Sequence, residues 1–205
     1  METNYRIAYD KGWQDVKKKL PEEIVSRRSV SYCSSKNQFT VPFFNSEYIL
    51  DCRNETITGK TAGQIPDITA SIIILNYLSF SDISPTPDKK WVSLKEIPKG
   101  GALFYPAFRK NTIEVLLKTF GKQPKELLTC AAALGGQSAS LGSASVVFHA
   151  FPEIPLCIVM WEGDEEVRAN ATVLYDPSIA DILHVESIIG LGMYLAAKLN
   201  QLASR

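Results

Sequence analysis

Acidic side chains form the group in this sequence that is best suited to chemistry. The stretch at 161–166 reads WEGDEE and supplies Glu162 and Asp164, and Asp176 follows the next apolar run. Carboxylate oxygens bind hard cations, and paired carboxylates perform acid–base catalysis. The spacing differs from that of an EF-hand loop, and a solvated hairpin turn is the simpler interpretation. These three residues are candidate metal ligands, and a metal-dependent hydrolase or transferase is one alternative for the function.

Two histidines are the other side chains that could ligate a metal or transfer a proton near neutral pH. His149 lies in the apolar run VVFHAF, where strand alternation turns it away from Phe148. It is interpreted either as a buried, hydrogen-bonded core residue or as a cofactor ligand. His184, close to Glu186, is expected to be a helix cap or a surface residue. Neither GxSxG nor HExxH is present, so no motif supports an enzyme.

A third candidate group combines aromatic rings with a cation in the stretch FYPAFR. Phe104, Tyr105 and Phe108 could wall an apolar pocket, while Arg109 pairs with an anionic part of a ligand. Core packing with a surface arginine is the alternative interpretation.

A connector of small residues, ALGGQSASLGSAS, is predicted to let the backbone approach a ligand closely. A helix precedes it and a strand follows, which is the reverse of the order around a phosphate-binding loop. A helix C-cap followed by a flexible connector is the simpler interpretation. The candidate binding residues here are Gly135, Gly136, Gly142, Ser143 and Ser145, together with Trp161 at the end of the following apolar run.

The overall charge argues against a dedicated nucleic-acid-binding protein, because 22 basic and 22 acidic residues cancel. Lysines at 17–19 with Arg27 and Arg28 form a local basic cluster, interpreted as a solvated helix face. The sequence contains no signal-peptide core and no apolar run of about 18 residues. A cytoplasmic protein that neither spans a membrane nor binds nucleic acid is therefore expected.

The cysteines do not indicate a metal centre. None of the four belongs to a CxxC pair, so neither a structural zinc site nor an iron–sulfur cluster is predicted. Cys33 and Cys52 could face each other on neighbouring strands, but reduced thiols are expected because nothing indicates secretion.

The strands and helices that must position these groups show no regular β-α-β alternation along the chain. Their order therefore predicts an α+β fold with a mainly antiparallel sheet. An N-terminal meander is expected, followed by a central hairpin whose nearly unbroken apolar runs predict burial on both faces. The predicted strands span 31–34, 38–44, 47–52, 56–58, 145–151, 156–161 and 172–175.

Helices are expected to cover these strands. Asp67 is a good N-cap for a helix over 68–80 that is apolar nearly all round. An amphipathic C-terminal helix is predicted over 186–203, with Gly190 and Gly192 permitting close packing. Further helices are predicted at 5–20, from Pro21, after FYPAF up to Phe120, and at 125–134. A single domain, 1–205, is expected, and the loop near 79–90 is the place where subdomains would divide.

Three long segments resemble a known family: WVSLKEIPKGGALFYPAFRK, AALGGQSASLGSASVVFHAFPEIPLCIVMWEGDEE and ANATVLYDPSIADILHVES. Through them most of the chain is similar to the domain of unknown function 3786, a family found mainly in anaerobic bacteria and archaea. The resemblance implies a setting in anaerobic one-carbon or corrinoid metabolism, and some members are similar to fusions with an iron–sulfur domain. The cysteines of such a domain are absent here, so direct electron transfer is not expected.

Combined with the lack of catalytic motifs, the resemblance implies a non-catalytic protein that binds a bulky cofactor, most specifically a corrinoid such as cobalamin. The ligand is expected between the central strands and the segment 100–109, with His149 as the candidate axial ligand. A further alternative is an interaction module that docks on a corrinoid or iron–sulfur protein.

Overall fold

The computed structural model describes residues 2–84 and 86–204, with side chains from Asn4 onward, and shows two antiparallel sheets covered by helices. The predicted α+β class is therefore confirmed. The first sheet is the predicted meander, in the order β1-β2-β3-β4. Its strands are β1 (Ser31–Cys33), β2 (Gln38–Phe43), β3 (Ser46–Asp51) and β4 (Thr56–Gly59). Phe39, Val41 and Phe43 alternate into the core, as period-two patterning requires.

The second sheet has the order β5-β9-β8-β7-β6, so the second strand of the predicted hairpin lies at its centre. Its strands are β5 (Val92–Ser93), β6 (Gln137–Ala139), β7 (Ala144–Phe151), β8 (Ile154–Trp161) and β9 (Asn170–Tyr175). The two edge strands were not predicted, since segments of two or three residues are too short to show alternation. A hydrogen bond of 2.8 Å from the Phe44 N–H to the Ala150 carbonyl joins the two sheets.

The helices follow the predicted order. They are α1 (Glu2–Lys17), α2 (Pro21–Arg27), α3 (Ile68–Ser79), α4 (Gly101–Phe108), α5 (Glu114–Phe120), α6 (Glu126–Ala132), α7 (Ile179–Ile182) and α8 (Val185–Ala203). Asp67 caps α3 as predicted, because its carboxylate accepts the Ala70 N–H at 2.9 Å. Among the described residues, no helix has both the length and the apolar composition needed to cross a bilayer.

One predicted boundary is wrong. Helix α4 begins at Gly101, before the FYPAF element, and passes through a π-helical turn (Arg109–Ile113) into α5. Pro106 lies inside α4 although proline usually disrupts a helix interior. It has no N–H, so one hydrogen bond to the preceding turn is missing. The π-helical turn begins three residues after Pro106, as a single wide turn between two α-helical segments.

Arg28 ties several of these elements together from inside the protein. Its side chain is only 4% exposed and donates to the carbonyls of Tyr77, Ser81 and Ile83 at 2.8, 2.9 and 2.8 Å. The Tyr77 hydroxyl in turn donates to Glu153, in the turn between β7 and β8, at 2.6 Å. Burial lowers the pKa of the Arg28 guanidinium, yet an arginine keeps its charge in proteins. Contrary to the prediction, Arg28 is not part of the solvated face.

Replacing Arg28 with lysine should therefore destabilise the fold by about 2–4 kcal/mol, because a lysine cannot reproduce the forked contacts and leaves carbonyls unsatisfied. Urea unfolding followed by circular dichroism measures the effect. Arg27→Lys is the matched control, since Arg27 makes a partly exposed ion pair with Asp82 and should cost about 0–1 kcal/mol. Equal costs for the two variants would contradict the structural role of Arg28.

Candidate functional site

The aromatic group of α4 is divided between the core and the surface. Phe108 is 1% exposed, and its ring lies 6.5 Å from that of Tyr175. Tyr105 is half-buried beneath Lys95, whose Nζ lies 4.4 Å from the ring centroid. Phe104 and Arg109 are exposed. The group therefore contributes one side chain to the core and leaves two on the surface.

The small residues of the connector hold its backbone against the second sheet. Gly142 has φ +58°, and a Cβ atom there would lie 2.5 Å from the Met160 carbonyl. The hydroxyls of Ser143 and Ser145 accept the N–H groups of Glu162 and Leu141 at 2.9 and 2.8 Å. These residues are brought together next to Trp161, which is 41% exposed.

The two glycines at the start of the connector also serve packing. Gly135 has φ +72° and lies beside Asn45. A Cβ atom on Gly136 would come within 2.8 Å of the side chains of Val146 and Phe148. Both positions therefore favour glycine for structural reasons.

The second sheet separates the two halves of the predicted site. Register pairs place Val146 and Ile158 on the same face as Tyr175, which is the face that Phe108 contacts. Ser145 and His149 point to the opposite face by strand alternation. His149 is exposed, so its interpretation as a buried core residue is wrong.

The expected cleft between the segment 100–109 and the central strands is filled by side chains. A Cβ atom on Gly192 of α8 would lie 2.6 Å from the Phe108 ring and 2.4 Å from the Tyr175 hydroxyl oxygen. A corrinoid does not fit in this position, because Phe108 and Tyr175 are both fully packed and His149 lies across the sheet.

The acidic candidates do not form a metal centre either. Asp164 accepts the N–H groups of Glu166 and Val167 at 2.9 and 2.7 Å, which lowers its pKa and identifies a hairpin turn. Glu162 and Asp176 lie beyond opposite ends of the β8–β9 pair, and the six paired residues between them place them about 23 Å apart. No group of three potential ligands occurs among the described residues.

Asp176 instead holds a loop in place by hydrogen bonding. Its carboxylate is buried and accepts the N–H groups of Asp88, Lys89 and Ser178 at 3.1, 2.8 and 3.0 Å. Desolvation opposes the charge, but these hydrogen bonds outweigh it and lower the pKa of Asp176. The carboxylate therefore anchors the loop that leads to β5.

An open groove lies elsewhere, between α1 and α8, with α3 as its floor. Its volume is about 680 Å³, within the range of small-molecule sites. Helix α1 approaches α3 at Gly12, where a Cβ atom would lie 2.9 Å from Leu75. Helix α8 approaches α3 at Gly190, next to Ile73. Because α1 and α8 both pack on α3, a space stays open between them above this floor.

The groove has an apolar middle and polar ends. Its apolar surface comes from Ile72, Ile73, Ile189, Met193, Tyr5 and Tyr194. Helices α3 and α8 run antiparallel, since Asn76 accepts the His184 N–H at one end and Asp67 pairs with Lys198 at the other. The groove could therefore hold an apolar body and anchor polar groups at either end.

His184 lines one end of this groove. Its Nδ1 accepts the Glu186 N–H at 3.4 Å, so it caps α8 as predicted. In the neutral ring the proton then resides on Nε2, which becomes a donor and not a metal ligand. Sequence reasoning missed this groove, although the glycines in α1 and α8 were a signal of close helix contacts.

Fold and groove define an α+β protein in which a helical layer leaves a ligand-sized opening above its central helix. The chain belongs to the family described as Domain of unknown function (DUF3786), whose family model matches residues 21–198. No curated protein matches the chain, and no solved structure matches it either. The match includes α3 and α8 up to Lys198, whereas α1 precedes it.

Two glycines of α8 should respond in opposite ways to substitution by alanine. Gly190→Ala should raise the free energy of unfolding by up to about 1 kcal/mol, because the added methyl group has room and alanine favours helices. Gly192→Ala should destabilise by about 1–3 kcal/mol through contact with Phe108 and Tyr175. Thermal unfolding of both variants measures this, and a neutral Gly192→Ala would contradict the packing.

Asp176→Asn should lower the free energy of unfolding at neutral pH by about 1–3 kcal/mol. The NH₂ group of the asparagine would replace one carboxylate oxygen, and it cannot accept the backbone N–H groups that face it. The native pKa lies below the unfolded value of about 3.9, so the carboxylate stabilises fully above that pH and less as the pH falls through the native pKa. The difference from wild type should therefore shrink below about pH 4. Urea unfolding across this range tests it, with the exposed Glu165→Gln as control; a difference that persists in acid would contradict the assignment.

Proposed function

We propose that this protein is a non-catalytic small-molecule-binding protein and that its ligand occupies the groove between α1, α3 and α8. The observation that supports this most directly is the open volume of about 680 Å³ above a buried apolar helix. Ligand sites typically combine such apolar walls with a few convergent polar groups.

The groove favours a ligand with an elongated apolar body and hydrogen-bonding ends. Ile72 and Met193 offer apolar contact, and Tyr5 and Tyr194 add aromatic surface. The imidazole of His184 offers a donor at one end. Tyr194 is half-buried, and desolvation raises the pKa of its hydroxyl, which therefore stays protonated.

The corrinoid expected from the family resemblance belongs to this proposal as its most specific form, together with a cytoplasmic, anaerobic setting. With Nδ1 of His184 accepting the Glu186 N–H, the proton of the neutral ring lies on Nε2, so axial ligation by this imidazole would require that proton to be lost. A corrinoid held here would therefore interact through its ring face and amide side chains. For the metal-dependent enzyme, the described carboxylates provide no supporting geometry.

Nile red, a neutral dye that fluoresces in apolar surroundings, should bind the groove. Ala8→Trp and Gly190→Leu should each weaken binding about tenfold, because both place bulk in the opening. Ala132→Trp, on the exposed surface of α6, is the matched control and should leave the affinity unchanged.

The same titration distinguishes the general proposal from its specific form. Displacement of the dye by cyanocobalamin would support the corrinoid, and lack of displacement would remove it. Dye affinity that is equal in wild type and both groove variants would overturn the binding function itself.

A further inference from the structure

Positive charge in this neutral chain is concentrated in one stretch. Residues 89–125 contain nine lysines and arginines but only two acidic residues, Glu96 and Glu114, which gives a formal charge of +7. The rest of the chain must therefore have a charge of −7, because the whole is neutral. Such polarisation steers oppositely charged partners towards one surface.

The basic side chains of this stretch differ in their ion pairing from those near the N-terminus. Lys18 pairs with Asp15 at 2.9 Å, and Lys19 and Arg27 both pair with Asp82, at 2.5 and 2.7 Å. Within 89–125, no lysine or arginine lies within 4.0 Å of a carboxylate oxygen belonging to a described residue. The cations of this region therefore make no ion pair with a described carboxylate, unlike those near the N-terminus.

Exposed apolar side chains lie in the middle of this charge. Leu103 and Phe104, in the first turn of α4, are 76% and 39% exposed. The N-cap residue of α4 is Gly100, which has no side chain to satisfy the free N–H groups at the positive end of the helix.

We propose that this region docks an acidic protein segment in which an apolar side chain lies between carboxylates. The docking surface, here called the α4 surface, consists of the exposed Leu103 and Phe104 with two exposed lysines. Lys99 lies just before the helix, next to the glycine that Phe104 contacts, and Lys110 is seven residues from Leu103, which places both on the same side of the helix. Charge complementarity favours an acidic partner, and the Leu103–Phe104 pair provides the apolar contact at the centre of the interface.

A protein partner fits this surface better than nucleic acid or a membrane. Leucine cannot stack on a base, and the most exposed apolar side chain here is Leu103. Binding in a membrane interface needs an apolar face along a helix, whereas Arg109 and Lys110 follow this apolar pair within two turns. The surface is separate from the α1–α3–α8 groove, so the proposal does not depend on ligand binding there.

A fluorescein-labelled peptide of repeated Glu-Glu-Leu units is the probe, and fluorescence anisotropy with the full chain gives its affinity. The peptide should bind, and added salt should weaken it. Leu103→Ser and the double variant Lys99→Glu/Lys110→Glu should each reduce affinity about tenfold. All three positions are exposed, so folding should be unaffected. A peptide of Glu-Glu-Ser units should bind more weakly.

Lys36→Glu and Arg168→Glu are matched controls, because both residues are exposed and lie outside the basic stretch. They should leave the affinity for the Glu-Glu-Leu peptide unchanged. Equal losses in the controls, or an unaltered affinity in Leu103→Ser, would overturn the proposal. Tighter binding to a single-stranded oligonucleotide or to phosphatidylglycerol vesicles than to the peptide would do the same.

Discussion

Helix α3 must be covered on almost every side, and this constraint determines how the helices are arranged. Eight of its twelve residues are buried, including Ile73, Ile74 and Leu75. Removing such a side chain from water is worth about 1.5–3 kcal/mol, so the chain gains most by placing other elements around α3. Helix α1 covers one side and α8 another, and the groove is the remaining gap between them.

The end of α3 raises a second problem, since the carbonyls of its last turn have no partner within the helix. Arg28 donates to one of them, the Tyr77 carbonyl, and also to the carbonyls of Ser81 and Ile83 in the segment that follows α3. The Tyr77 ring beside it stacks on Phe151 with centroids 3.8 Å apart. A buried charge is tolerated here because nearly all of its donors are used.

Local patterns in the sequence predict the fold well but the site poorly. Alternation at Phe39, Val41 and Phe43, and the cap at Asp67, depend on neighbouring residues only, and both are confirmed. To predict the binding site correctly, one must know which face of the second sheet packs against α4. His149 and Phe108 lie on opposite faces, and this follows from strand register and helix packing that one sequence does not encode locally.

The glycines of α8 show why the groove in particular was hidden. Gly190 and Gly192 differ by two positions, which in a helix places them about 200° apart on opposite sides. One faces α3 and the open groove, whereas the other meets Phe108 and Tyr175 in the filled core. As residues they are identical, and the physical difference lies in their neighbours. A small residue allows close approach, and only the tertiary arrangement decides whether a helix, an aromatic ring or a ligand uses that space.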